Sequence, residues 1–313
     1  MRFKEYLVLF ALAALWGASF LFIKVAVADM TPLTLVAIRL TGGTLGLLWL
    51  IVFIPSITSG WRSYLKAYLF VAIFNAIIPY LAISWGEEYI SSGMAAILDA
   101  TTPLGIVIIG NWLPGGERIS RMSISGVMLG LVGVAVLVGP TAFSAQTSSL
   151  YLWGVVLVLL GSLSYSVGAL SASRLLRGLP TLQPAIGQNA MGALILAPIA
   201  AIALVVQPQH AITMPFGWAI AAALALALGG TSLAYLCYYW LIERVGPTRT
   251  LLVTYLLPCT ALVYGAIFLH EQVSINALGG LALVLAGIFL TGKRSPRKQL
   301  QTEQVSLRKQ EVQ

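Results

Sequence analysis

Asp99 and Arg39 are ionisable residues set inside long apolar runs, AAILDATTPLGIVIIG and PLTLVAIRLTGG. Read as helices entering a bilayer near residues 90 and 32, these runs put Asp99 about 13.5 Å deep and Arg39 about 10.5 Å deep. The core is about 30 Å thick, so Asp99 sits near its midplane. A charge there costs about 2.5–3.5 kcal/mol on insertion scales and must face a partner or a wet cavity. Asp99 therefore has two readings. One is a proton-coupling or substrate-amine site; the other is a permanent partner for Arg39 that holds two helices in register. The matched depths predict an Arg39–Asp99 pair. Lys24, about 6 Å from the end of its run, is expected to snorkel to the surface.

A second set is polar or aromatic near mid-run: Trp16, Ser19, Asn75, Tyr80, Tyr165, Tyr235 and Tyr255. Amphipathic rings suit a site that grips an apolar side chain and a polar head together. Ordinary helix packing is the alternative for any one of them; as a set, at least three should line a cavity. Pro79, Pro103, Pro198 and Pro258 fall inside apolar runs and should kink or weaken them, with Pro103 and Pro258 as matched hinges. No H-E-x-x-H or Gly-rich phosphate loop occurs, both histidines fall at run ends or in loops, and Asp99 has no evident second buried acid. No enzyme, metal site or cofactor is expected. Trp61, Trp85, Trp112, Trp153, Trp218 and Trp240 lie near run ends and read as interfacial anchors.

The elements that carry these residues follow from composition. The 313 residues hold 18 Lys+Arg and 10 Asp+Glu, 9% of the chain, with 59% hydrophobic residues. A soluble domain carries about 25% charged residues. A formal charge of +8 spread through so apolar a chain is no nucleic-acid surface. Cys237 and Cys259 lie in apolar runs and suggest neither a disulfide framework nor a zinc site. Ten runs are long enough for transmembrane helices, at about 6–28, 32–54, 65–86, 90–112, 122–139, 150–171, 182–206, 216–240, 248–269 and 274–292. Continuous apolarity excludes a β-barrel. Residues 293–313 read as a basic, flexible cytoplasmic tail. With both termini in the cytoplasm, every basic residue except Lys24 and Arg39 falls in or beside a cytoplasmic segment, while Asp29, Glu87, Glu88 and Glu271 fall in outer loops.

The two halves match in order. A shift of 155 carries Tyr80, Trp85, Glu88 and Pro103 onto Tyr235, Trp240, Glu243 and Pro258. A shift of 154 carries Glu117, Gly126 and Gly133 onto Glu271, Gly280 and Gly287, and a shift of 149 carries Trp16 onto Tyr165. Five helices per repeat is an odd number, so the copies run with opposite polarity, a transporter device. The expectation is an all-α polytopic membrane protein of ten transmembrane helices in two inverted five-helix repeats, residues 1–145 and 146–292.

Trp16-Gly17 with Lys24, Pro32 with Arg39, and Glu117 followed by Gly126, Gly130 and Gly133, echoed by Glu271, Gly280 and Gly287, resemble the drug/metabolite transporter superfamily, in particular its EamA-type members. The Pro114-Gly115-Gly116 run before Glu117 departs from that pattern. The resemblance implies export or exchange of amino acids or similar metabolites. It also implies a central cavity lined by helices 1, 3, 4, 6, 8 and 9, with helices 5 and 10 as scaffold. The expected protein is a monomer in the plasma or inner membrane, with a dimer as the alternative, taking a small-molecule substrate with proton coupling through Asp99. A channel-like facilitator or a non-transporting receptor is the competing reading.

Overall fold

A computed structural model describes residues 1–48, 60–112, 120–142, 148–180, 182–206 and 217–292. Glu117 with its preceding Pro114-Gly115-Gly116, His210 and the tail 293–313 lie outside the described residues. Among the described residues all regular structure is helical. Seven helices among the described residues are long and apolar enough to cross a membrane: α1 (Phe3–Val27), α3 (Trp61–Tyr89), α4 (Ser92–Trp112), α5 (Arg121–Ala142), α6 (Ser149–Leu175), α7 (Gln183–Val206) and α8 (Trp218–Val245). Three shorter apolar helices are α2 (Pro32–Leu48), α9 (Val253–Phe268) and α10 (Ile275–Gly292). A single turn, Pro247–Thr250, leads into α9. Helices apolar on every face satisfy their backbone internally and suit lipid on the outside. Val205 is 82% exposed and Ile275 88%. A soluble protein would not present such a surface.

Packing is set by small residues. The strongest pairing joins α5 to α10: a Cβ added at Gly133 would lie 2.9 Å from the Gly280 carbonyl oxygen, and one at Gly287 would lie 2.5 Å from that of Gly126. Only glycine lets the two backbones approach so closely. Elsewhere α1 packs on α8 and α9, α6 on α3 and α4, and α2 on α7 and α8.

Three helices depart from regular α geometry. α3 contains a π turn at Ile73–Ile77, just before Pro79, and α8 a π segment at Leu226–Leu233. α4 is interrupted at Ala100–Thr101, before Pro103. A proline cannot donate to the carbonyl four residues back and crowds it. Here that carbonyl, of Asp99, accepts instead from the Thr102 hydroxyl at 2.8 Å, and the Leu98 carbonyl accepts from the Thr101 hydroxyl at 2.7 Å. The expected matching interruption at Pro258 is absent: α9 runs unbroken through it, as α7 does through Pro198. Leu256 and Leu257 precede Pro258 and have no hydroxyls to take up released carbonyls.

Candidate functional site

Arg39 is placed by the glycines that follow it. Gly42, Gly43 and Gly46 face Ala227, Thr231 and Ser232 on the π segment of α8, and the Ser232 hydroxyl donates to the Gly43 carbonyl at 3.0 Å. This close seating lets Arg39 Nε donate to Thr231 Oγ1 at 3.2 Å. The Arg39 guanidinium, with the residue 7% exposed, lies 3.7 Å from the centre of the Tyr80 ring. A desolvated cation over a ring gains about 2 kcal/mol, which helps to hold a charge at this depth.

Asp99 ends the first segment of α4, at the interruption. Its Oδ1 accepts from Ser162 Oγ of α6 at 3.2 Å. The Arg39–Asp99 pair expected from matched depth is therefore not formed. Tyr80 and Thr231 occupy the guanidinium, Ser162 holds the carboxylate, and the two charges act on each other only through space.

Around them runs a chain of rings and amides. Tyr80 meets Tyr165 edge-on with ring centres 6.2 Å apart, and its side chain also engages Tyr235. Tyr235 stacks on Tyr239 at 6.1 Å, Tyr239 meets Tyr238 at 5.3 Å, and Tyr238 meets Trp16 at 5.4 Å. Gln188 Nε2 donates to the Tyr235 hydroxyl at 2.7 Å, and Asn75 Nδ2 donates to Gln188 Oε1 at 2.9 Å. The π turn carries Asn75, and the π segment of α8 carries Thr231 just ahead of Tyr235. π turns often mark functional positions, because the extra residue re-aims the side chains around it.

The structure thus brings together Arg39, Asn75, Tyr80, Asp99, Tyr165 and Tyr235, with Trp16 at the far end of the ring ladder. Asp99, Tyr165 and Tyr235 are only half-buried, so part of the cluster borders space that no neighbouring residue fills. Ser19 is spent on packing: its hydroxyl donates to the Leu15 carbonyl at 3.2 Å and faces Gly230. Tyr255 makes no ring contact with the cluster among the described residues. The cluster also draws on α2 and α7, beyond the helices that the resemblance implied as lining. Gln188, Ser162, Thr231, Tyr238 and Tyr239 went unforeseen. Gln183, Gln188 and Asn189, three amides inside one apolar run, were the available signal for α7.

Two further expectations are corrected. Lys24 does not snorkel. Its ammonium donates to the backbone carbonyls of Glu87 and of Ile90, the latter at 2.8 Å, capping the end of α3. That cap accompanies an α3 that continues past residue 86, and Glu87, expected in an outer loop, is fully buried within its last turn. A second buried acid besides Asp99 therefore stands inside a helix, at the end of α3.

A multi-helix membrane protein with a polar and aromatic site at the heart of its bundle is the class that this fold and geometry define. The model of the EamA-like transporter family matches residues 3–139 and again 152–293. The chain belongs to that family: it is a multi-pass membrane transporter, not an enzyme. It is 24% identical to the uncharacterized transporter YoaV of Bacillus subtilis over 92% of this chain and 96% of that one. It is 26% identical to the uncharacterized inner membrane transporter YedA of Escherichia coli over 85% of this chain and 84% of that one. A solved crystal structure with 20% identity superposes with a TM-score of 0.63, covering 93% of this chain and 96% of the other; it shares the fold.

Proposed function

We propose that the protein is a secondary carrier for amino acids or closely related zwitterions, exporting them from the cytoplasm by alternating access around the Arg39–Asp99 cluster. The observation that carries this reading is a pair of opposite charges held in the bundle interior without neutralising each other. Arg39 offers its remaining guanidinium N–H groups to a carboxylate, a match of fork geometry as well as charge. Asp99 offers its carboxylate to an ammonium group, and the rings of Tyr80, Tyr165 and Tyr235 offer an amphipathic wall to a side chain. A substrate with both charges supplies what each residue lacks, and one lacking either charge leaves an unpaired ion at low dielectric.

Ten crossings in two inverted repeats are part of the same proposal. The family model matches each half separately. The main helix neighbours are preserved when the halves are exchanged, and the π turn of α3 maps onto the π segment of α8 at the 155-residue shift. Such pseudo-symmetry lets one chain adopt two related shapes opening to opposite faces. Proton coupling through Asp99, a hinge at the α4 interruption beside Pro103, a monomeric state and cytoplasmic termini complete the proposal.

A thermal-shift screen of the purified protein tests it. Free amino acids should raise the melting temperature, and the matching N-acetylated and decarboxylated analogues should not. Equal stabilisation by the analogues would show that the two charges do not read the ligand.

A further inference from the structure

Glu87 is completely buried, and neither of its carboxylate oxygens has a hydrogen-bond partner among the described residues. An ionised carboxylate in that condition would be severely destabilised, whereas the neutral acid forgoes only ordinary hydrogen bonds. The charged groups that act on it are Lys24 from α1, Arg39 from α2, Asp99 from α4 and Glu271 from the turn after α9. α6, packed on the same turn through Gly154 and Val158, and α7 bring no charge there; Glu88, next along α3, is exposed.

The two of these groups at the same end of the bundle are already engaged. Lys24 binds the backbone carbonyls of Glu87 and Ile90. Glu271 accepts from the Ser92 amide at 2.8 Å, the Ser92 hydroxyl at 2.9 Å and the Gly93 amide at 3.2 Å, so it caps the start of α4. Its direction is set by the close of α9, where His270 adopts φ 54° and the Glu271 amide bonds back to the Gly265 carbonyl at 3.0 Å. These bonds tie α1 and the α9–α10 turn to the α3–α4 turn, residues 87–93, and shut that end of the bundle over Glu87.

We propose that Glu87 is a proton-binding site, distinct from Asp99, whose proton is held while this end of the bundle is shut and released when it opens. Loss of the proton leaves a carboxylate that must acquire water or a cation. The nearest cation is Lys24, and drawing its ammonium off the α3 carbonyls undoes one of the two ties. In a carrier, this would couple a proton to the opening step. That extension rests on the transport reading, while proton binding and opening are measurable without any substrate.

The test uses the full chain purified into lipid bilayers. Infrared difference spectra across a pH jump should show a protonated-carboxyl stretch that disappears on alkalinisation. One component of that signal should be missing in Glu87→Gln, which mimics the neutral acid, and retained in Asp99→Asn, which removes only the contribution of Asp99. Hydrogen exchange corrected for intrinsic rate should show residues 87–93 losing protection as that signal vanishes, while Glu87→Gln stays protected throughout. A carboxyl signal undiminished in Glu87→Gln, or one that never titrates, overturns the proposal. So does exchange at residues 87–93 that follows pH alike in both proteins.

Discussion

If Arg39 reads a substrate carboxylate, as proposed, its contact with the Tyr80 ring is where charge and shape can be separated. Arg39→Lys keeps the charge but loses the flat guanidinium that rests on the ring and the Nε–Thr231 bond. Ligand affinity should fall by about tenfold or more. Tyr80→Phe retains a ring under the cation and should cost far less than Tyr80→Leu, which removes it; isothermal titration with an amino acid found in the thermal screen measures both. Asp99→Asn should abolish the preference for a free amine while leaving carboxylate recognition, so the ratio of affinities for the amino acid and its N-acetyl derivative should collapse towards one. Asp99 and Arg39 were legible as a pair of intramembrane charges because ionisable residues are rare in such runs. Their separation was not legible, since it depends on Ser162 and Tyr80 arriving from other helices.

The helices show which patterns carry structure by themselves. Apolar runs define helices because nothing else satisfies the backbone in lipid, and the helices among the described residues fall where those runs lie. Their irregularities follow from finer chemistry. At the break in α4 before Pro103 the Thr102 hydroxyl takes the Asp99 carbonyl that the proline cannot reach, whereas α9 continues unbroken through Pro258. Thr102→Val should therefore destabilise the protein by about 1–3 kcal/mol through an unsatisfied carbonyl, read as a lowered melting temperature. The extra residues in the π segments leave no periodicity that an apolar composition would reveal, so Asn75 and Thr231 could be seen as polar but not as aimed. The glycines of α5 and α10 let the two backbones touch, and Gly126→Leu, which would strike the Gly287 carbonyl and Thr291, should be more destabilising than Gly139→Leu, where a Cβ meets nothing within 4 Å.

Across the whole molecule, we propose that the charges outside the site orient the bundle and that the central cluster reads the substrate. Inverted halves require exposed Glu88 and its counterpart Glu243 to lie on opposite faces. In protein with Cys237 and Cys259 changed to Ser, Glu88→Cys should react with an impermeant maleimide added outside cells, and Glu243→Cys only after permeabilisation; labelling of both from outside would break the inverted arrangement. A carrier that grips a zwitterion between Arg39 and Asp99 should show counterflow in proteoliposomes. With an unlabelled amino acid from the thermal screen trapped inside, the same labelled compound supplied outside should accumulate transiently and saturably. The trapped N-acetyl or decarboxylated analogue should drive no such accumulation, and Arg39→Lys should reduce it. Linear, non-saturating uptake without counterflow, or counterflow driven equally well by the analogues, would contradict the account.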